Sequence, residues 1–250
     1  MILSLLAAAT LQAAAPAADS EQARFSACAT LVRTDPVRAV DEANAWRTVG
    51  GGVLAQQCLG LAYVAQERWA PAATVYEQAA RDAAGRSDGR AADLWVQAGN
   101  AWLAAREPTK AVQALDAALA TTTMSAPLRG QVHLDRARAL VALGNLAGAR
   151  ADIDRALQMA ADDGTGWYLS AALARRTGDL PRAGNDIARA LTLKPDDPDF
   201  NLLAGTIAGA AGDMAEAEAR YRRVVELAPS SEAAAAAQAS LGTAEDSPPQ

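Results

Sequence analysis

The apolar positions of this chain recur on a long period. From Pro198 to Ser231 the sequence places Ala204-Gly205 in one amphipathic stretch and Gly212-Asp213 at a break. Ala217, Tyr221 and Val224 follow in a second stretch, which Pro229 closes. Thirty-four residues earlier, from Gly164 to Asp197, the same order returns as Trp167, Ala171, Gly178-Asp179, Ala183, Ile187, Ala190 and Pro195. Each block predicts two helices joined by a short turn, and a fixed period of this length predicts a solenoid of stacked helix pairs.

Counting back with the same template places a third unit at Gly130 to Asp163, with Ala137, Leu140, Gly144-Asn145, Ala149, Ile153 and Ala156 in register and Ala161 in the proline slot. A fourth begins near Ala92 with Trp95, Gly99, Trp102, Ala111, Leu115 and Ala118. A fifth begins near Val53 with Gly60, Tyr63, Ala72, Tyr76 and Ala79. Extra residues after these two fall in connecting loops. The period and these residues together resemble the tetratricopeptide repeat family. That resemblance implies an all-α fold, a right-handed α-solenoid of antiparallel helix pairs, with repeats at about 53–91, 92–129, 130–163, 164–197 and 198–231.

Small residues recur for a physical reason. Where two helices cross closely, Gly or Ala lets the backbones approach. The prolines test the assignment independently, because a proline inside a helix costs about 3 kcal/mol. Pro36, Pro71, Pro108, Pro127 and Pro181 all fall at predicted helix starts, and Pro195, Pro198 and Pro229 between repeats. Upstream, residues 19–52 read as a degenerate first helix pair, with Asp35 as the cap before Pro36. Residues 231–242 read as a capping helix and 243–250 as a disordered tail.

Composition narrows the function. A net charge of −6 opposes general affinity for nucleic acid or anionic lipid. Residues 1–18, apolar and ending in small residues around Ala15 to Ala17, read as a secretory signal peptide, although no basic residue precedes the apolar run. The run is too short to span a bilayer, so the mature protein is expected in the periplasm, or in the cytoplasm if the run is not a signal. His133 is the single histidine and Cys28 and Cys58 the only cysteines, so no metal site or nucleophile–base pair can be assembled. Gly50 to Gly52 lacks the lysine and hydroxyl of a phosphate loop and reads as a linker. No cofactor is called for, and the chain reads as no enzyme.

In the family, partners lie in the groove lined by the first helix of each repeat. Carried over onto this chain, the resemblance implies a binding groove at Asn100, Arg138, Tyr168 and Arg175, with Leu61, Val96, Leu103 and Leu134 as apolar floor; Val141 and Arg176 also fall on lining positions. Asn100 with Arg138 resembles part of a carboxylate clamp whose lysines are missing. The resemblance also sets Cys28 and Cys58 on first helices of adjacent pairs, which lie side by side in such solenoids, so in an oxidising compartment they are expected to form a disulfide. The expected function is a non-enzymatic scaffold for a protein or peptide partner in the bacterial periplasm or cell envelope. A self-assembling homo-oligomeric module and an accessory lobe of an envelope enzyme are the alternatives.

Overall fold

The computed structural model describes residues 17–122 and 124–245. Among them the chain forms thirteen α-helices and no strand. The expected signal peptide falls almost wholly outside the described residues, as do the last five residues of the expected tail. Two compact units divide the chain, one ending at Ala105 and one beginning at Arg106.

The first unit contains α1 (Ala17–Thr34), α2 (Pro36–Thr48), α3 (Gly52–Ala65), α4 (Trp69–Gly85) and α5 (Ala91–Ala104). Asp35 caps α2 by accepting from the Arg38 amide, and Pro36 sits at its first position. Helices α1, α2 and α3 close around Trp46, Leu59 and the two cysteines, whose Cα atoms lie 6.2 Å apart, a span that a disulfide bridges. Helices α3 and α4 approach closely at Gly60. A Cβ there would lie 2.4 Å from Cε1 of the buried Tyr76, so only glycine fits against that ring.

The second unit contains α6 (Pro108–Leu119), α7 (Ala126–Ala142), α8 (Leu146–Met159), α9 (Gly164–Arg176), α10 (Leu180–Leu193), α11 (Pro198–Ala210), α12 (Met214–Leu227) and α13 (Glu232–Glu245). Each of α7/α8, α9/α10 and α11/α12 is a packed pair. Asp163, Asp179, Asp197 and Asp213 each cap the helix that follows, which explains the acidic residues of the connections. Within each pair the turn is made the same way: Gly144, Gly178 and Gly212 adopt φ of +77°, +81° and +86°, and the next residue's amide reaches back to Leu140, Ala174 or Ala208. Helix α13 packs its alanines 233, 234 and 237 on Val224 and runs to Glu245, three residues past the Gly242 end expected from sequence.

Candidate functional site

The sequence-predicted groove residues divide between the units. In the first, Leu61 on α3 and Val96 and Leu103 on α5 are half-buried, while Asn100 on α5 is exposed. The spacing of Val96, Asn100 and Leu103 sets them on one face of α5. Trp102 is buried within this unit, where its indole N–H donates to Glu77 at 2.6 Å, and so serves packing.

In the second unit the first helices α7 and α9 bring Arg138 and Arg175 onto one pocket of about 550 Å³. Ala137 and Val141 of α7, Ile153 of α8, and Leu169, Ala172 and Leu173 of α9 make its apolar wall, and Arg138, Arg175 and Arg176 line it as cations. The volume lies within the range of about 300–1,000 Å³ typical of ligand pockets. Leu134, expected as groove floor, does not line this pocket; it packs in the core with Ile153 and Leu173 and lines a separate hollow with Gln131, Leu157 and Gly166. Val141 provides the apolar wall instead.

The three guanidinium groups differ. Arg138 donates from Nη1 to the buried Asp135 carboxylate at 2.6 Å, leaving its other donors available. Arg175 and Arg176, in the last turn of α9, are exposed and have no carboxylate partner among the described residues. Their neighbours contrast with them. Arg150 and Arg182 both reach Asp154 at 2.8 Å, and Arg136 holds Asp152 at 2.7 Å.

Tyr168 stands beside this charge. Its ring stacks on Phe200 of α11 at 5.0 Å between centroids, and Lys194 lies 5.6 Å from the Phe200 centroid. Burial raises the Tyr168 phenol above its ordinary value, Asp199 and Asp197 add to that rise, and Arg138 and Arg175 oppose it. The face therefore changes sign along its length, basic at α7 and α9 and acidic at the start of α11. Leu169 and Ala172, which the sequence reading did not place in the groove, could have been found from Arg176, since they lie seven and four residues before it on the same face of α9. Ile153 could not, because it reaches the pocket from the second helix of its pair.

Comparison with known proteins agrees with this architecture. The chain is similar in fold to PilW, described as a widely conserved type IV pilus biogenesis factor: 20 % identity, 89 % of this chain and 98 % of that chain covered, TM-score 0.71. It is also similar to pilF of Pseudomonas aeruginosa, at 16 % identity, 89 % and 98 % coverage and TM-score 0.69. YrrB, described as a TPR protein with an unusual peptide-binding site, matches at 17 % identity, 78 % and 96 % coverage and TM-score 0.54. At these identities the likeness is one of fold. No curated protein sequence matches the chain. The tetratricopeptide repeat family model matches residues 59–127 and 134–198, more than half of the sequence, and the chain belongs to the tetratricopeptide repeat family.

Proposed function

We propose that this protein is an exported, non-enzymatic scaffold of the bacterial periplasm or cell envelope that holds a protein or peptide partner on the first-helix face of its repeats. The observation that carries the reading is the pocket between α7 and α9, where an apolar wall meets Arg175 and Arg176, which have no carboxylate partner among the described residues. Such a surface suits recognition by arginine and aromatic side chains rather than turnover, since nothing within it can act as a nucleophile. The peptide-binding site in the description of YrrB and the description of PilW as a pilus biogenesis factor support a binding scaffold over an enzyme. The apposition of Cys28 and Cys58 supports an oxidising compartment.

Site-specific photocrosslinking in cells tests this. A photoreactive residue at Val96 or Tyr168 is expected to capture a discrete partner, and one at the exposed Arg189 of α10 is not. Arg138→Ala with Arg175→Ala is expected to lower capture at Tyr168 by about tenfold. Capture at Arg189 alone would move recognition off the first-helix face.

A further inference from the structure

We infer that the α7–α9 pocket takes an acidic protein segment carrying one large apolar side chain, the side chain entering between Val141 and Ala172 and the carboxylates meeting Arg138, Arg175 and Arg176. The inference rests on the scaffold reading and states the chemistry of the partner.

Three observations lead to it. First, the pocket is large enough for an anchor: about 550 Å³, with a wall of aliphatic side chains from three helices. The small Ala172 keeps its α9 side open. Second, its charge is unbalanced. Arg150 and Arg155 of α8 and Arg182 of α10 bind aspartates, whereas Arg175 and Arg176 are adjacent, exposed and unpaired among the described residues. Their place in the last turn of α9 suits the helix dipole, which makes them tolerable there but does not neutralise them. Third, the local sign opposes that of the chain, which carries −6 overall.

A basic segment seated here would bring like charges together as water is excluded, and a neutral one would desolvate guanidinium groups without replacing their hydration. A carboxylate-bearing segment does replace it, because guanidinium and carboxylate form paired, charge-assisted hydrogen bonds. Apolar contact in the pocket then supplies affinity, and the arginines supply discrimination. Tyr168 stacks on Phe200, in the first turn of α11 beside Asp199 and the Asp197 cap. The acidic part of the segment therefore seats at the α7–α9 end, away from the start of α11.

Fluorescence anisotropy with the full chain tests the inference with three labelled peptides: a central Phe flanked by Glu, the same Phe flanked by Lys, and the Glu-flanked peptide with Ser replacing Phe. The Glu-flanked Phe peptide is expected to bind at least about tenfold more tightly than either of the others, and to weaken as salt rises. Arg175→Glu with Arg176→Glu should reverse the preference for Glu over Lys, and Ala172→Trp should abolish the advantage of Phe over Ser. Melting curves confirm that the variants fold, and Arg175→Ala with Arg176→Ala serves where charge reversal does not. Equal binding of Glu- and Lys-flanked peptides, lost on Ala172→Trp, would overturn the acidic partner while leaving the groove as the docking face. Glu-flanked binding unmoved by any variant would overturn the pocket. Absence of binding by all three peptides at about 1 mM would overturn the inference, and the crosslinking experiment would still decide the scaffold reading on its own.

Discussion

Glu67 and Arg106 stand where the other turns have glycine. Their φ values are +55° and +59°, and the Arg68 amide closes the first of these turns on the Tyr63 carbonyl as the Asp179 amide closes its turn on Ala174. A side chain in this left-handed conformation is strained by about 1 kcal/mol or more, and glycine is not. Glu67→Gly is therefore expected to raise stability by about 0.5–1 kcal/mol after the added flexibility of the unfolded chain is allowed for, and Gly178→Ala to lower it by about 1 kcal/mol. Urea denaturation of the two variants checks both signs. The glycine of these turns was legible in the sequence because it recurs. What His133 does was not, because its partners come from other parts of the chain. Its ring donates from Nδ1 to Asp152 at 3.0 Å, on a carboxylate that also receives Arg136 and Arg155 and is held below its ordinary value: burial would raise it, but Arg136 and then His133 outweigh burial. Burial lowers the His133 imidazole below its ordinary value, Asp152 opposes this, and Arg136 and Arg155 add to it. A histidine depressed in the folded state contributes stability that is complete above its unfolded pKa of about 6.5 and is lost as the pH falls through the folded value. His133→Asn, which keeps a donor toward Asp152, is thus expected to show a smaller fall in thermal midpoint between about pH 7 and pH 5 than the parent. An equal fall in both would remove His133 as a source of acid sensitivity.

Whole helices were more legible than their polar contacts, and the reason lies in what repeats. Proline, glycine and alanine slots return with the period, so a single reading of one pair predicts the others. The buried polar contacts keep their place but change their chemistry. Asp152, Asp186 and Arg220 are thirty-four residues apart, and each meets the first helix of its own pair. The partners are His133 at 3.0 Å, the Ser170 hydroxyl, and Asn201 at 3.2 Å. An acidic residue answered by histidine or serine, and a basic one answered by asparagine, show no common pattern in one sequence. The pairing of α1 with α3 was likewise visible only through its cysteines. If Cys28 and Cys58 are joined, the thirty-residue separation gives a chain-entropy contribution of about 3–4 kcal/mol, and it falls on the pair whose repeat signature is weakest. Cys28→Ser with Cys58→Ser is expected to lower the denaturation midpoint accordingly, and reductant should lower that of the parent but leave the variant unchanged. Two free thiols in periplasmic material, counted by alkylation and mass spectrometry, would refute the bond.

At the scale of the molecule the open question is which chain the cell folds. Helix α1 begins at Ala17, and its packing onto α2 and α3 is carried by Phe25, Cys28 and Val32. Cleavage near Ala17 would trim α1 by no more than its first turn and leave every one of these contacts in place. A helix loses little when an exposed terminal turn frays, since most of its stability comes from the buried face further in. Among the described residues no helix is long and apolar enough to cross a membrane. A chain starting at Asp19 retains Phe25, Cys28 and Val32 and is therefore expected to melt within about 2 °C of the full-length protein. In cells, the periplasmic fraction should contain a species lacking roughly the first 15–18 residues, with the alkylation pattern of an oxidised Cys28–Cys58 pair. Intact-mass measurement of fractionated cells reads both properties at once. A full-length, fully reduced protein confined to the cytosolic fraction would show that the apolar leader is not a secretion signal. The α7–α9 pocket would then have to find its acidic partner inside the cell.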